Sequence, residues 1–357
     1  MSAAIIPTEI AEGPDAIRHT LAEARPTARD IAARLRAERV RRIHVIGNGT
    51  SYHSSLAAAS LYGRLATPTD PVVVPMTAGA FRTYPPALTG GDAIVGISAS
   101  GEFRDVVAVA EAWRGQVPVI GVVHVPGSTL TRVATDVVIS GGGPSDVPVM
   151  TKTFSATLVA TELLLLELLG GERAEAAIAA IERAADHAEA AITAAAPLID
   201  ELATQLVGAE HLFVVGSGLA SIAALEAALK LKEMAIVHAE AAETWEMASG
   251  AATIVGPGTV VVALAPEGPG RAATAEFVAH AAGWGSRIIE VGPTSSVPES
   301  TLLPLPPDAV EDHAPLTAVP PVAMLAFALA RRRGLDPDHP GWVERYHSQG
   351  LHHIVGV

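Results

Sequence analysis

VGISASGEFRD, Val95 to Asp105, passes from a buried strand into a helix through one short polar turn. The run Ala93 to Ile97 carries no charge and no alternation, the pattern of a strand covered on both faces. Ser98, Ala99, Ser100, Gly101 and Glu102 end it, and a helical pattern from Phe103 to Arg114 follows at once. A strand delivered directly into a helix is half of a βαβ unit, and so of a parallel sheet. The turn has two readings. Ser100 caps the helix with Glu102 in its first turn. Alternatively, the two hydroxyls, Gly101 and the helix N-terminus form an anion cradle, with free N–H groups and the positive end of the dipole.

The flanks repeat the same alternation. Upstream, helical patterns at Pro14–Ala24 and Ala28–Glu38 precede a strand at Arg42–Ile46, the turn GNGTSYHS (Gly47 to Ser54) and an alanine-rich helix to Leu65. Val72 to Pro75 predicts a short strand and Ala78 to Tyr84 a short helix. Downstream come strands at Val117–Val123 and Asp136–Ile139, then a long helix from Lys152 to Leu169. An alanine-rich helical stretch to Ala196 offers a packing or dimer face, and from Leu198 the first pattern starts again.

The restart is a duplication. HVIGNGTSYHSSLAAA matches LFVVGSGLASIAALEA with Gly47 on Gly216 and Gly49 on Gly218. VGISASGEFR matches VALAPEGPGR with Gly101 on Gly268 and Arg104 on Arg271. Two blocks in nearly the same offset indicate two copies of one α/β domain. The copies differ at the turn: Ser98 and Ser100 face Ala265 and Glu267, and Pro266 and Pro269 interrupt the second cradle. Glu267 would repel a phosphate there, so the hydroxyls of the first copy are not a requirement of the fold. This favours the cradle over the cap.

Composition excludes several classes. At 357 residues, 49% hydrophobic and 17% charged, the chain is globular, with a core large enough for two domains. It has no cysteine, which rules out disulfides, thiol catalysis and cysteine–metal sites. A net charge of −14 without a basic, aromatic-interleaved patch argues against nucleic acid. No signal-like leader opens the sequence, and Ala156 to Leu169 carries Glu162 and Glu167, so neither a secretory nor a membrane role is expected.

The quoted turns resemble those of the double sugar-isomerase (SIS) family. Gly47 to His53 is similar to its GxGTSxH turn, Ser98 to Glu102 to its SxSGE turn, and Thr151 to Phe154 to its TKxF opening. Leu225 to Glu233 followed by His238 to Ala241 resembles its run LExALKLKE…HAEA, and Arg333 to Pro340 fits its C-terminal end. Within that family the sequence resembles the isomerase half of glucosamine-6-phosphate synthase and the aminosugar-phosphate deaminases.

The resemblance implies an α/β fold of two tandem SIS domains, each a parallel sheet flanked by helices on both faces. The expected division is a peripheral segment 1–27, a phosphate-binding domain 28–170, a connecting helix 171–197, a domain with the catalytic helix 198–340, and a tail 341–357. It implies a phosphosugar held by Gly49, Thr50, Ser51, Ser98, Ala99, Ser100, Gly101, Phe103, Met150, Thr151 and Ser249, with backbone N–H groups of Ala99 and Gly101 helping. Glu233 matches the base that moves a proton between C1 and C2 of the opened sugar. The expected protein is a cytoplasmic homodimer with its active site near the subunit interface, using no metal and no organic cofactor. Lacking a nucleophilic cysteine, it is not expected to carry out glutamine-dependent synthesis.

Spacing supports the second cluster independently. Glu226, Lys230 and Glu233 stand at i, i+4 and i+7 and share one helix face, whose ordinary reading is a solvated Glu–Lys pair worth about 0.3–0.5 kcal/mol. Leu225, Leu229 and Leu231 around them favour a drier setting, where a carboxylate abstracts a proton beside a carbonyl and a lysine positions it or stabilises the enediolate.

Departures from the family pattern bear on activity. Ser249 stands where ring-opening relatives have a histidine, Ala99 where they have glutamine, and Phe103 where they have threonine. One of His347, His352 and His353 in the tail is a candidate replacement for the missing imidazole, whereas Trp245 is expected to pack or line the pocket. The function implied is an aldose–ketose isomerase or an aminosugar-phosphate deaminase. The alternatives are a phosphosugar-binding protein without chemistry, or a deglycase of a phosphorylated sugar–amine conjugate.

Overall fold

A computed structural model describes residues 4–348. The chain forms two compact units, one chiefly Asp15–Ser145 with Lys152–Arg183, the other chiefly Ala184–Gly341 with Asp146–Thr151 and the chain up to Pro14.

The first unit is built from α1 (Ile5–Ala37) beyond Pro14, β1 (Arg42–Gly47), α2 (Thr50–Leu65), β2 (Val72–Thr77), α3 (Ala78–Thr83), β3 (Asp92–Ile97), α4 (Arg104–Trp113), β4 (Val119–Val123), α5 (Thr129–Val133), β5 (Asp136–Ile139), α6 (Lys152–Leu169) and the start of α7 (Gly171–Leu206). Its five strands are all parallel in the order β2-β1-β3-β4-β5. β3 and β4 are buried at every position, which explains their unbroken apolar sequence. α6 is buried along its whole length and packs against α2, whose Ala57, Ala58 and Ala59 let the two helices approach. A mostly apolar helix buried on every face, as α6 is, belongs to a core.

The second unit continues with β6 (His211–Gly216), α8 (Leu219–Ala235), β7 (His238–Glu243), α9 (Thr244–Ala248), β8 (Thr259–Leu264), α10 (Arg271–Gly283), β9 (Arg287–Gly292), β10 (Thr301–Pro304), α11 (Ala314–Thr317) and α12 (Val319–Arg332), while α13 (Gly341–Ser348) falls from Trp342 on with the first unit. Its sheet is again five parallel strands in the order β10-β9-β8-β6-β7, the same winding as the first. α8 packs against α12 through buried alanines on both helices. The 22 residues Glu311–Arg332 are long and apolar enough to cross a membrane, but most of that stretch is buried inside the protein, as a core helix is.

The duplication extends to backbone geometry. Gly49 has φ 53°, ψ −128°, and its counterpart Gly218 has φ 58°, ψ −133°; each immediately precedes its helix. A Cβ on Gly47 would stand 2.6 Å from backbone of Ser51, and one on Gly216 would stand 2.7 Å from backbone of Ala220. Both strands therefore end in glycine because the next helix turns back within contact distance.

Two sequence expectations differ from the structure. The two N-terminal helices are one, α1, which continues through Pro14 and Pro26. Buried Ile6, Ile10, Ile17, Ala24, Ala28, Ile31 and Leu35 lie along it, and this apolar burial outweighs the hydrogen bonds the prolines remove. α7 likewise runs through Pro197 to Leu206 instead of ending before Leu198. The HAEA run, which sequence pattern assigned to no element, opens the edge strand β7.

Candidate phosphate cradle and carboxylate–lysine cluster

In a sheet wound 2-1-3-4-5, the chain leaves β1 and β3 toward opposite sides, and a crevice opens between their carboxyl ends. The GNGTS and SASGE turns leave those two strand ends. Gly49 is exposed, and Thr50 and Ser51, 6% and 8% exposed, open α2. A Cβ built on Gly49 meets no atom within 4 Å among the described residues.

The SASGE turn is held from several sides. The Ser98 hydroxyl, nearly buried, accepts the Phe103 N–H at 3.3 Å, and the exposed Ser100 hydroxyl accepts the Glu102 N–H at 3.2 Å. The Ala99 carbonyl accepts N–H groups of His124 and Val125 at 2.9 and 3.1 Å. Ser100 is therefore not the helix cap: α4 begins at Arg104, after Phe103, which has no capping side chain and packs against the core. The Gly101 N–H, expected to help hold a phosphate, instead donates to the Ser98 carbonyl at 2.9 Å, so the turn has already used it. Glu102 accepts the Thr129 N–H at 2.8 Å, and hydrogen bonds from Thr129 hold its carboxyl below the usual range.

Sequence reading missed Ser128, because only folding brings the β4–α5 loop under Gly101. The Ser128 hydroxyl is 4% exposed and has no hydrogen-bond partner among the described residues. It lies 1.9 Å from where a Cβ on Gly101 would stand, and Gly101 has φ +67°. Gly101→Ala therefore combines left-handed strain with a collision, and should cost about 2–4 kcal/mol in urea unfolding. Ser128→Gly in the same chain should recover the collision part and leave the strain. A Gly101→Ala protein as stable as the parent would remove this account of the turn.

In the second unit, α8 carries the other cluster. Lys230 Nζ donates to Glu233 Oε2 at 2.7 Å and lies 3.1 Å from Glu226 Oε1. The side chains of Lys230 and Glu226 are each 1% exposed and that of Glu233 is 23% exposed. The helical spacing is thus not a solvated pair but a buried cation between two carboxylates, with Glu233 the member that reaches solvent. Burial pulls the Lys230 ammonium down, yet Glu226 and Glu233 outweigh it and its pKa is raised. It is a fixed charge.

The remaining predicted residues divide. Thr151, 9% exposed, donates its hydroxyl to Glu9 Oε2 at 3.0 Å, and half-buried Met150 precedes it, both in the second unit. The Ser249 hydroxyl donates to the Trp245 carbonyl at 2.7 Å and closes α9, a capping role. Trp245 is 57% exposed, so it neither packs in the core nor is enclosed by its own unit. Glu267 does not face the second turn as a free repelling charge; it pairs with Arg271. His352 and His353 lie outside the described residues, and of His347 only its place in α13 is described. Among the described residues no His, Cys, Asp and Glu cluster suited to a metal occurs.

A doubled parallel α/β unit of this winding has its ligand crevice at the topological switch point, and in the first copy a hydroxyl-rich turn stands there. The chain belongs to the SIS domain family, whose model matches residues 38–167 and 205–291. It is 34% identical over 316 residues to the isomerizing glutamine–fructose-6-phosphate aminotransferase of Aeropyrum pernix, covering 84% of this chain and 50% of that protein. The chain thus spans about half the length of this relative. Among solved structures, the C-terminal domain of glucosamine-fructose-6-phosphate aminotransferase from Francisella tularensis has a TM-score of 0.84 at 24% identity, covering 95% of this chain and 98% of that one. Glucosamine-6-phosphate deaminase from Thermotoga maritima has a TM-score of 0.70 at 19% identity, covering 92% and 97%. These two likenesses show the fold.

Proposed function

We propose that the protein binds a hexose or hexosamine phosphate through the cradle of its first unit. Glu233 then moves a proton between C1 and C2 of the open-chain sugar. The observation that carries this reading is the α8 cluster. A carboxylate 23% exposed, held at 2.7 Å by a fully buried ammonium, is a fixed base with access to substrate, and a surface ion pair needs no such burial.

In the forward direction Glu233 takes the C2 proton of an aldose, and the electron pair passes to the C1 oxygen as an enediolate. The C2 hydroxyl proton passes to the C1 oxygen, and return of the abstracted proton from Glu233 to C1 leaves the carbonyl at C2. On a 2-amino sugar the same shift places a C=N bond at C2, and its hydrolysis by water releases ammonia and a ketose phosphate. Lys230, engaged with both carboxylates, serves as a positioning residue that holds Glu233. The homodimer and cytoplasmic setting implied by the resemblance belong to this proposal, and light scattering of the purified protein tests the first.

Ser249 favours a second reading. Its hydroxyl is committed to Trp245 and cannot replace the imidazole that opens the ring in relatives of this kind. This observation suits a phosphosugar binder without turnover.

The deciding assay offers glucosamine 6-phosphate and its isomers and measures ketose and ammonia release. Ser98→Ala and Ser100→Ala should each weaken phosphosugar affinity about 10-fold or more, the value of a hydrogen bond to a charged group. Product formation supports the enzyme, and saturable binding without product supports the binder. Unchanged affinity in both serine variants would sink the cradle.

A further inference from the structure

The second copy should have a cradle of its own, and its place is taken. The crevice between β6 and β8 is framed by Gly218 ahead of α8 and by Gly268 and Gly270 ahead of α10. The side chain of Glu311, 6% exposed, lies among these three glycines. A Cβ on Gly218 would stand 3.2 Å from Glu311 Oε1, one on Gly268 2.6 Å from its carboxyl carbon, and one on Gly270 3.1 Å from Oε2. Gly49, the counterpart of Gly218, has no such neighbour among the described residues.

The hydrogen bonds match position by position. In the first copy the residue before α4, Phe103, donates its N–H to the Ser98 hydroxyl. In the second, the residue before α10, Gly270, donates its N–H to Glu311 Oε2 at 3.0 Å, because Ala265, the counterpart of Ser98, has no hydroxyl. The carboxylate is delivered by a short parallel bridge, in which the Glu267 N–H donates to the Ala309 carbonyl at 3.0 Å and the Glu311 N–H to the Glu267 carbonyl at 2.8 Å. An anion between the starts of two helices, of 17 and 13 residues, gains from both dipoles.

We propose that the second copy is an anion site filled by the chain's own Glu311 carboxylate, and that it takes an oxyanion of the phosphate class once that carboxylate is removed. The duplicated fold then presents one sugar-phosphate site because the other is permanently occupied from within. Only the last statement rests on the function proposed above; the occupied second site stands on its own geometry.

The test compares Glu311→Ala with the parent by thermal unfolding in inorganic phosphate against chloride at matched ionic strength. The variant should melt lower than the parent in chloride, and phosphate should raise its midpoint several degrees more than it raises the parent's. Both proteins keep Ser98 and Ser100, so anything bound at the first cradle cancels in the difference, and failure there is read separately from the serine variants. Should Glu311→Ala not fold in chloride, its refolding yield from urea in phosphate against chloride reads the same site. A variant helped equally by phosphate and chloride, in melting or in refolding, overturns the proposal.

Discussion

Glu233→Gln is expected to lower kcat about 10²–10⁴-fold with phosphosugar affinity unchanged, the range that a positioned general base contributes. The amide keeps the size of the side chain and can still accept the Lys230 hydrogen bond, now 2.7 Å to Oε2, so geometry is retained while basicity is lost. Equal loss in kcat and kcat/KM marks a group that acts in the transition state. Calorimetric titration with a hexose 6-phosphate beside steady-state kinetics reads both quantities. A variant that turns over at the parental rate would remove Glu233 from the chemistry, and one that no longer binds would make it a binding group.

Lys230→Met should be the most destabilising single change on α8, at about 3–5 kcal/mol. It strips the ammonium from Glu226 and leaves that carboxylate inside the core. Methionine matches the stem in volume, so the loss reports charge and not a cavity. Adding Glu226→Leu should recover much of it, since burying neither charge costs less than burying one. Urea unfolding of the three proteins measures the series. A Lys230→Met protein of parental stability would mean that the Glu226 charge is otherwise satisfied. The double variant should fold yet remain slow, because Glu233 has lost the group that positions it.

Much of the architecture was legible in the sequence, for a physical reason. Strands covered on both faces cannot alternate, so β3 and β8 read as continuous apolar runs. Glycines forced by close helix return, Gly47 and Gly216, repeat in step with them and exposed the duplication. Helix limits were less legible. Pro14, Pro26 and Pro197 are strong local stop signals, yet they lie inside α1 and α7, where burial over many residues exceeds the cost of one lost hydrogen bond at each. β7 was hidden because His238 to Glu243 is an edge strand with polar residues, without the apolar run that marks its neighbours.

The candidate site divides in the same way. Helical periodicity placed Glu226, Lys230 and Glu233 on one face, the strand–turn–helix pattern and its altered second copy singled out the serines of SASGE, and the resemblance gave Glu233 its expected role. Burial of that face was decided by the packing of α8 against its strand and α12, which periodicity cannot report. Ser128 beneath Gly101 and Glu311 among three glycines had no local signal, because each is brought to its turn by a distant segment.

The turn at Ser98 to Glu102 shows where the boundary falls. Sequence by itself determined that it joins a buried strand to a helix at the end of one of two repeated units, and that its hydroxyls have no counterpart in the second. Tertiary structure alone decided that Ser100 is not a cap, that the Gly101 N–H is spent within the turn, and that a carboxylate from residue 311 answers for Ala265 in the other copy. Strand and helix patterns follow from neighbours a few residues away along the chain. What an N–H or hydroxyl does at the end of a strand depends on which segment arrives to meet it.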